Sequence, residues 1–155
     1  MTENKKIKTN SWKAWLLATR PKTLAGAAVP VMIGVALALR TTGWQHFRFV
    51  PAILCFLFAF LMQVDSNLIN DYFDFRHGND DPATRLGPKR ACSEGWITPR
   101  AMVAGLALVS VLACAVGLPL VWYGGWQMII VGAACVLFAF LYTTFFSYQG
   151  LGDVL

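Results

Sequence analysis

Charged residues are scarce in this 155-residue chain, and they are missing altogether from three long stretches. They make up 14% of the residues, whereas hydrophobic residues make up 57%. Soluble domains have about 25% charged and roughly 45–50% apolar residues. Residues 23–39, 49–64 and 101–152 contain no Asp, Glu, Lys or Arg. Since a membrane-spanning helix needs about 20 mainly apolar residues, the sequence argues against a soluble domain and indicates an integral membrane protein.

Cysteines at metal-binding spacing are also missing. Cys55, Cys114 and Cys135 lie within apolar stretches, and Cys92 stands alone in a polar one. This pattern argues against a zinc site and against a disulfide framework. The net charge of +5 comes from Lys and Arg that flank apolar stretches. A nucleic-acid face would need clustered basic residues with interleaved aromatics, so no nucleic-acid partner is predicted.

The apolar stretches predict an all-α transmembrane fold with four spanning helices, at about residues 23–39, 49–70, 101–123 and 126–146. Gly124-Gly125 separates the last two spans, and Pro30 and Pro119 predict kinks that neighbouring helices can tolerate. Ahead of the first span, Trp12, Trp15, Leu16 and Leu17 lie among the basic residues Lys13 and Arg20, which predicts a short interfacial helix. Residues 1–22 are therefore an N-terminal cytoplasmic or interfacial segment, and residues 23–155 form the membrane domain.

The distribution of Lys and Arg predicts the orientation of these helices. Six of them precede the first span and five follow the second, whereas two follow the first and none follows the third. Because cytoplasmic loops carry the excess of Lys and Arg, the N-terminus and the second loop are expected in the cytoplasm. We expect a multi-pass protein of the cytoplasmic (inner) membrane with both ends inside.

A polar stripe runs along the second predicted span. At about 100° per residue, its members fall within an arc of roughly 100°. The members are Gln63, Asn67, Asn70, Asp71 and Asp74. Asp65 points to the other side of the helix. Ionisable groups at membrane depth are costly and usually face a cavity or a pathway, so the stripe is a candidate functional site.

The loop after the stripe adds acidic and basic residues, namely Asp80, Asp81, Arg85, Lys89 and Arg90. Carboxylates suit magnesium, which is usually held by one or two carboxylates together with substrate phosphates. Arginine and lysine suit phosphate oxygens. The combination predicts a diphosphate held through magnesium. Two alternatives are a solvated, charged loop and an ion or proton path, although a path would place its carboxylates near the middle of the bilayer.

These residues resemble the UbiA-type intramembrane prenyltransferases. The motif NDYFD at positions 70–74 matches the NDxxD opening of that family's first aspartate-rich motif. The spacing from Asn67 to Arg90 is similar to the branch that acts on 1,4-dihydroxy-2-naphthoate. RPKTL at positions 20–24 and the segment 142–153 resemble two further blocks of that branch. The third aspartate of the motif falls at Asp80 or Asp81.

The resemblance implies a bundle of about nine helices, of which this chain would be the first part. It also implies a magnesium-dependent transfer of a polyprenyl group from polyprenyl diphosphate to 1,4-dihydroxy-2-naphthoate. Decarboxylation would give demethylmenaquinone, a step of menaquinone biosynthesis. Another aromatic acceptor, or a non-catalytic membrane fragment, are the alternatives. Since a second aspartate-rich motif does not occur in the sequence, we expect the chain alone to be inactive.

The resemblance also implies roles for individual residues. The implied catalytic residues are Asn70, Asp71 and Asp74. The implied magnesium ligands are Asp71, Asp74 and Asp80. The implied diphosphate-binding residues are Lys22, Asn67, Arg85, Lys89 and Arg90. The remaining partner is the lipid bilayer itself, which would hold the polyprenyl chain.

Overall fold

The computed structural model describes residues 7–78 and 89–141. Within these residues the chain is helical and has no strand, which confirms the all-α fold class. The helices are α1 (Trp12–Ala18), α2 (Leu24–Thr42), α3 (Phe49–His77), α4 (Pro99–Gly117), α5 (Val121–Gly124) and α6 (Gln127–Leu141). Short 3₁₀ turns at Pro21–Thr23 and Leu118–Leu120 join α1 to α2 and α4 to α5.

Three helical stretches are long and apolar enough to cross a membrane. They are Trp12–Thr42, Phe49–His77 and Pro99–Gly124. In the last of these, a 3₁₀ turn interrupts the α-helix at the predicted position of Pro119. The fourth predicted span corresponds to α6, which has 15 residues in the described part of the chain. Residues 142–146 of that prediction lie outside the described residues.

Helix α3 continues seven residues beyond the predicted end of the second span at Asn70. It ends at His77 because Gly78 adopts the left-handed conformation, with φ of 69°. A glycine in this conformation is a common helix C-terminus since it lacks a Cβ. The polar residues that follow Asn70 remain helical. Asp71 and Asp74 therefore lie on α3, the helix on which the polar stripe was predicted.

The buried core lies at one end of the helices. Its members are Ala14, Ala18, Leu68, Ile69, Ala91, Cys92, Ile97, Met102 and Leu106. They come from α1, the C-terminal half of α3, the start of α4 and the segment 89–98, which we call the basic loop. In contrast, α2 and α6 bury no residue in the described structure. Lipid or further helices can cover the exposed apolar side chains of α2 and α6.

The N-terminal segment and the basic loop meet at this same end. The backbone N–H of Asn10 donates to the carbonyl of Trp96 (2.8 Å), and the N–H of Thr98 donates to Oδ1 of Asn10 (3.0 Å). Thr98 in turn caps α4 by accepting from the N–H of Ala101. The two segments in which Lys and Arg are concentrated thus lie on one side of the bundle, as the predicted orientation requires.

Candidate functional site

Asp71 lies on α3 with its carboxylate turned toward the basic loop. Its Oδ2 accepts a hydrogen bond from the backbone N–H of Ala91 (2.6 Å), and its Oδ1 accepts one from the N–H of Cys92 (2.9 Å). The residue is only 1% exposed. Burial of a carboxylate is costly unless hydrogen bonds replace its water, and these two donors fulfil that need. The carboxylate therefore holds two consecutive residues of the basic loop against α3.

Asp74 lies three residues further along α3 and forms an ion pair with Arg90. The guanidinium Nη2 of Arg90 contacts Oδ2 of Asp74. Arg90 is buried, whereas the Asp74 side chain is 16% exposed. Lys89, the preceding residue, is mostly exposed and its ammonium lies 3.3 Å from the carboxylate of Glu94. The structure thus brings one predicted acidic residue and one predicted basic residue together at the end of the stripe.

Asn67 connects the stripe to the segment that precedes α2. Its side-chain amide donates to the carbonyl of Thr19 (3.0 Å) and to the hydroxyl of Thr23 (2.9 Å). The Thr23 hydroxyl in turn donates to the carbonyl of Arg20 (2.9 Å). Arg20 has a φ of 49°, so the chain turns sharply there. We call Arg20–Thr23 the N-terminal turn. It carries Lys22, whose side chain is exposed.

The other predicted residues divide into described and undescribed positions. Asn70 lies half-buried on α3, one helical turn before Asp74. Asp65 lies away from the stripe, as predicted, where it is fully buried and its Oδ2 accepts from the hydroxyl of Ser110 on α4 (2.9 Å). Asp80, Asp81, Arg85 and the segment 142–153 lie outside the described residues, so the roles suggested for them stay predictions.

Sequence reasoning missed the groups that hold the stripe in place. The partners of Asp71 are backbone N–H groups of Ala91 and Cys92, which have no side-chain signature in a sequence. The partner of Asp65 had a signal, because Ser110 is the only hydroxyl residue in α4. Burial also raises the pKa of the Cys92 thiol to about 12, and the neighbouring Asp71 carboxylate adds to this rise. The Cys92 side chain is therefore neutral and packed in the core.

The fit of magnesium to this site differs between the two aspartates. No three His, Cys, Asp or Glu side chains come together to form a cage within residues 7–78 and 89–141. Magnesium does not require one, since it usually keeps several waters and shares one or two carboxylates with substrate phosphates. Asp74 is partly exposed and fits this mode. Both oxygens of Asp71 already accept backbone hydrogen bonds, so its role as a ligand stays a prediction.

Comparisons with known proteins agree with the motif. The model of the UbiA prenyltransferase family matches residues 27–155. The chain is 38% identical to the 1,4-dihydroxy-2-naphthoate octaprenyltransferase of Escherichia coli (strain K12), over 99% of this chain and 51% of that protein. It is 31% identical to the protein of the same name from Mycobacterium leprae (strain TN), over 93% of this chain and 48% of that protein.

A relative from an animal is similar over nearly the same part of the chain. The UbiA prenyltransferase domain-containing protein 1 homolog of Drosophila melanogaster is 32% identical, over 92% of this chain and 40% of that protein. The chain thus spans about half the length of the curated relatives it matches. No solved structure matched the chain.

Proposed function

The chain belongs to the UbiA prenyltransferase family, and we propose that it contributes the diphosphate-binding end of a 1,4-dihydroxy-2-naphthoate polyprenyltransferase. The reaction moves a polyprenyl group from polyprenyl diphosphate to the naphthoate ring and releases diphosphate and carbon dioxide. The immediate product is the reduced form of demethylmenaquinone, a precursor of menaquinone. The names of several relatives that are 31–38% identical support this substrate.

The observation that carries the proposal is the meeting of opposite charges at the end of α3. Asp74 pairs with Arg90, and Lys89 precedes Arg90 on the same loop. A magnesium diphosphate offers a cation for the carboxylate and phosphate oxygens for the guanidinium, so this pair matches both of its parts. A transport path would not need a cation suited to phosphate beside its carboxylate. The pair therefore supports phosphate chemistry over ion conduction.

We propose that Asp74 and Asp80 hold magnesium, and that Lys22, Arg85, Lys89 and Arg90 bind the diphosphate. Bound magnesium would neutralise part of the negative charge of the leaving diphosphate. Both oxygens of Asp71 contact the basic loop, and the amide nitrogen of Asn67 contacts the residues around the N-terminal turn. These contacts support a different role for the two residues.

The chain's own groups favour ionisation of the donor. When the allylic carbon–oxygen bond breaks, negative charge grows on the diphosphate oxygens. Cations that are already held in place, such as the buried guanidinium of Arg90, stabilise this charge without reorganisation. In the whole enzyme, further helices would have to exclude water from the site, because water would otherwise consume the allylic cation. The electron-rich ring carbon then forms the new carbon–carbon bond, and the ring loses its carboxylate as carbon dioxide.

We further propose that the 155-residue chain alone is inactive and that its N-terminus lies in the cytoplasm. A diphosphate bridged by magnesium needs ligands from more than one side, and the described residues supply one acidic cluster on α3. The relatives are about twice as long as this chain, which supports a need for further helices. The concentration of Lys and Arg at one end of the bundle supports the orientation.

The test is a product assay on a two-part protein. Cells would make the 155-residue chain together with the part of the Escherichia coli relative to which it does not align, and the two parts would be copurified. With magnesium, polyprenyl diphosphate and 1,4-dihydroxy-2-naphthoate, the two-part protein should form a prenylated product detectable by mass spectrometry. The chain alone should form none.

A matched reaction with 4-hydroxybenzoate separates the possible acceptors. Prenylation of this acid in preference to the naphthoate would indicate another aromatic acceptor. A copurified two-part protein that prenylates neither acid would contradict the proposal.

A further inference from the structure

The carboxylate of Asp71 and the amide of Asn67 both form hydrogen bonds with segments outside α3. Each lies on α3, and each binds a separate segment that carries a basic residue. Asn67 binds the N-terminal turn with Lys22, and Asp71 binds the basic loop with Arg90. The two residues are four apart, so they follow one another by about 6 Å along one face of the helix. One face of α3 thus fastens both segments.

The members of the polar stripe point in different directions on one side of α3. With Asn67 set at zero, Asp71 lies at about 40° around the helix axis, whereas Asn70 and Asp74 lie at about 300° and 340°. The first pair faces the turn and the loop. The second pair carries the partly exposed Asp74 carboxylate. The consecutive motif residues Asn70 and Asp71 therefore point about 100° apart around the helix axis.

The contacts of Asp71 determine where Arg90 lies. Ala91 and Cys92, which donate to Asp71, directly follow Arg90 and are almost fully buried. Hydrogen bonds to an ionised acceptor are stronger than neutral ones. They fix the backbone at the point from which the Arg90 side chain reaches Asp74. Without them, the loop would have to hold Arg90 through the ion pair and the apolar contacts alone.

We propose that Asp71 is a positioning residue, which holds the basic loop by its backbone so that Arg90 is set in place for the diphosphate, and not a magnesium ligand. This inference rests on the proposed function for the identity of the ligand. The geometry on which it depends can be tested without any reaction. It separates Asp71 from Asp74, although the two belong to one motif.

Cys92 supplies the readout, because its N–H is one of the two donors and the residue is only 4% exposed. The protein would be the 155-residue chain in detergent with Cys55, Cys114 and Cys135 replaced by alanine. Loss of the Asp71 charge also lowers the pKa of the Cys92 thiol and speeds labelling by itself, so cleavage of the Arg90–Ala91 bond by trypsin, which does not depend on the thiol, is measured beside it. Asp71→Asn should raise both the rate at which N-ethylmaleimide labels Cys92 and the rate of this cleavage by about tenfold or more. That factor corresponds to about 1.4 kcal/mol, close to the contribution of one hydrogen bond to a charged group.

Two controls identify a local effect. Asp74→Asn removes the same charge one turn away and leaves both backbone contacts of Asp71, so it should change Cys92 labelling by less than about threefold. A second protein retains Cys55 and has alanine at the other three cysteines. Asp71→Asn should leave Cys55 labelling unchanged. Equal labelling of Cys92 in the Asp71 and Asp74 variants, or no rise in either, would overturn the proposal.

If Asp71→Asn raises Cys55 labelling as well, the variant has unfolded and Asp71→Glu takes its place. Glutamate keeps the charge but displaces the carboxylate by one methylene, so Cys92 labelling should rise more than Cys55 labelling. A failure of this selective rise would refute the positioning role. The result does not depend on product formation, so it is independent of whether the proposed function is correct.

In the two-part protein, the role predicts a particular kinetic change. Asp71→Asn should raise the KM for polyprenyl diphosphate while the magnesium concentration for half-maximal activity stays the same. A merely structural role would lower the amount of active protein without moving the KM. A rise in the magnesium requirement with unchanged Cys92 labelling would identify Asp71 as a ligand and overturn the proposal. A two-part protein inactive even with Asp71 in place would contradict the proposed function alone.

Discussion

Asn67→Ala removes both hydrogen bonds that fasten the N-terminal turn to α3. The lost contacts are those to the Thr19 carbonyl (3.0 Å) and to the Thr23 hydroxyl (2.9 Å). Asn67 is 4% exposed, so water cannot readily replace them. We expect the N-terminal turn to open more often, because the remaining bonds within it link only neighbouring residues. The backbone around Lys22 should then become accessible.

The magnitude follows from the number of bonds. A buried intramolecular hydrogen bond contributes about 0.5–1.5 kcal/mol net, so the two together contribute about 1–3 kcal/mol. Since 1.4 kcal/mol corresponds to a factor of ten, the open population should rise by about 5-fold to 150-fold. Thr23→Ala removes one of the two contacts of Asn67 together with the bond from the Thr23 hydroxyl to the Arg20 carbonyl, so it should also open the turn, although the contact of Asn67 with Thr19 remains. Asn67→Asp replaces the amide nitrogen by an oxygen that faces the Thr19 carbonyl and the Thr23 hydroxyl. This variant should open the N-terminal turn at least as much as Asn67→Ala does.

The assay is limited proteolysis by trypsin in detergent, with the fragments identified by mass spectrometry. Cleavage of an opened segment follows the equilibrium population of the open form when opening is fast. The rate of cutting between Lys22 and Thr23 should rise by the factor given above. Cutting between Arg100 and Ala101, at the start of α4, is the internal control and should not change.

Two results would refute the reasoning. An unchanged rate at Lys22 in Asn67→Ala would show that the side chain does not hold the turn. An equal rise at Lys22 and Arg100 would show a general loss of structure in place of a local opening.

Three further predictions concern other described residues. Asp74→Asn in the two-part protein should lower turnover by several powers of ten. Metal stabilisation of the leaving group contributes several kcal/mol, and about 1.36 kcal/mol corresponds to a factor of ten in rate. A loss of turnover below tenfold would contradict the role of Asp74. Ser110→Ala should lower the free energy of unfolding by about 0.6–1.7 kcal/mol, measured by denaturant titration, whereas Asp65→Asn, which still accepts the hydroxyl, should have a milder effect. The raised pKa of Cys92, about 12 against an ordinary 9.0, favours the neutral thiol in the folded state. The free energy of unfolding should therefore fall as the pH rises from about 9 towards 12, because the unfolded thiol ionises first. Cys92→Ala should make this fall smaller, as measured by the temperature of thermal unfolding at each pH.

The fold could be predicted from the sequence where a feature depends only on consecutive residues. The length of an uncharged stretch can be compared directly with the thickness of a bilayer, and this comparison predicts membrane-spanning helices without knowledge of how they pack. The prediction for Pro119 was similarly local, since proline cannot continue the hydrogen-bond pattern of a helix. The end of α3 was predicted less well, because polar residues mark the end of an apolar stretch without ending the helix.

The candidate site could be predicted only in part, since its arrangement depends on contacts distant in the chain. The helical spacing identified the stripe and placed Asp65 on the other side, where the structure also finds it. The same spacing could not show that Asp71 faces two backbone N–H groups 20 and 21 residues away. Nor could it show that Arg90 pairs with Asp74. Almost every residue has a backbone N–H, so residue types could not indicate these donors. The different roles proposed for Asp71 and Asp74 are therefore argued from the structure and not from the sequence.

The most direct test of the central claim uses 1,4-dihydroxy-2-naphthoate labelled in its carboxylate. The two-part protein would be incubated with this acceptor, magnesium and polyprenyl diphosphate, and the released carbon dioxide would be compared with the prenylated product. The account predicts equal amounts of the two, none without magnesium, and a loss of both in Asp74→Asn. Product that forms equally well in Asp74→Asn, or carbon dioxide released without prenyl transfer, would contradict it.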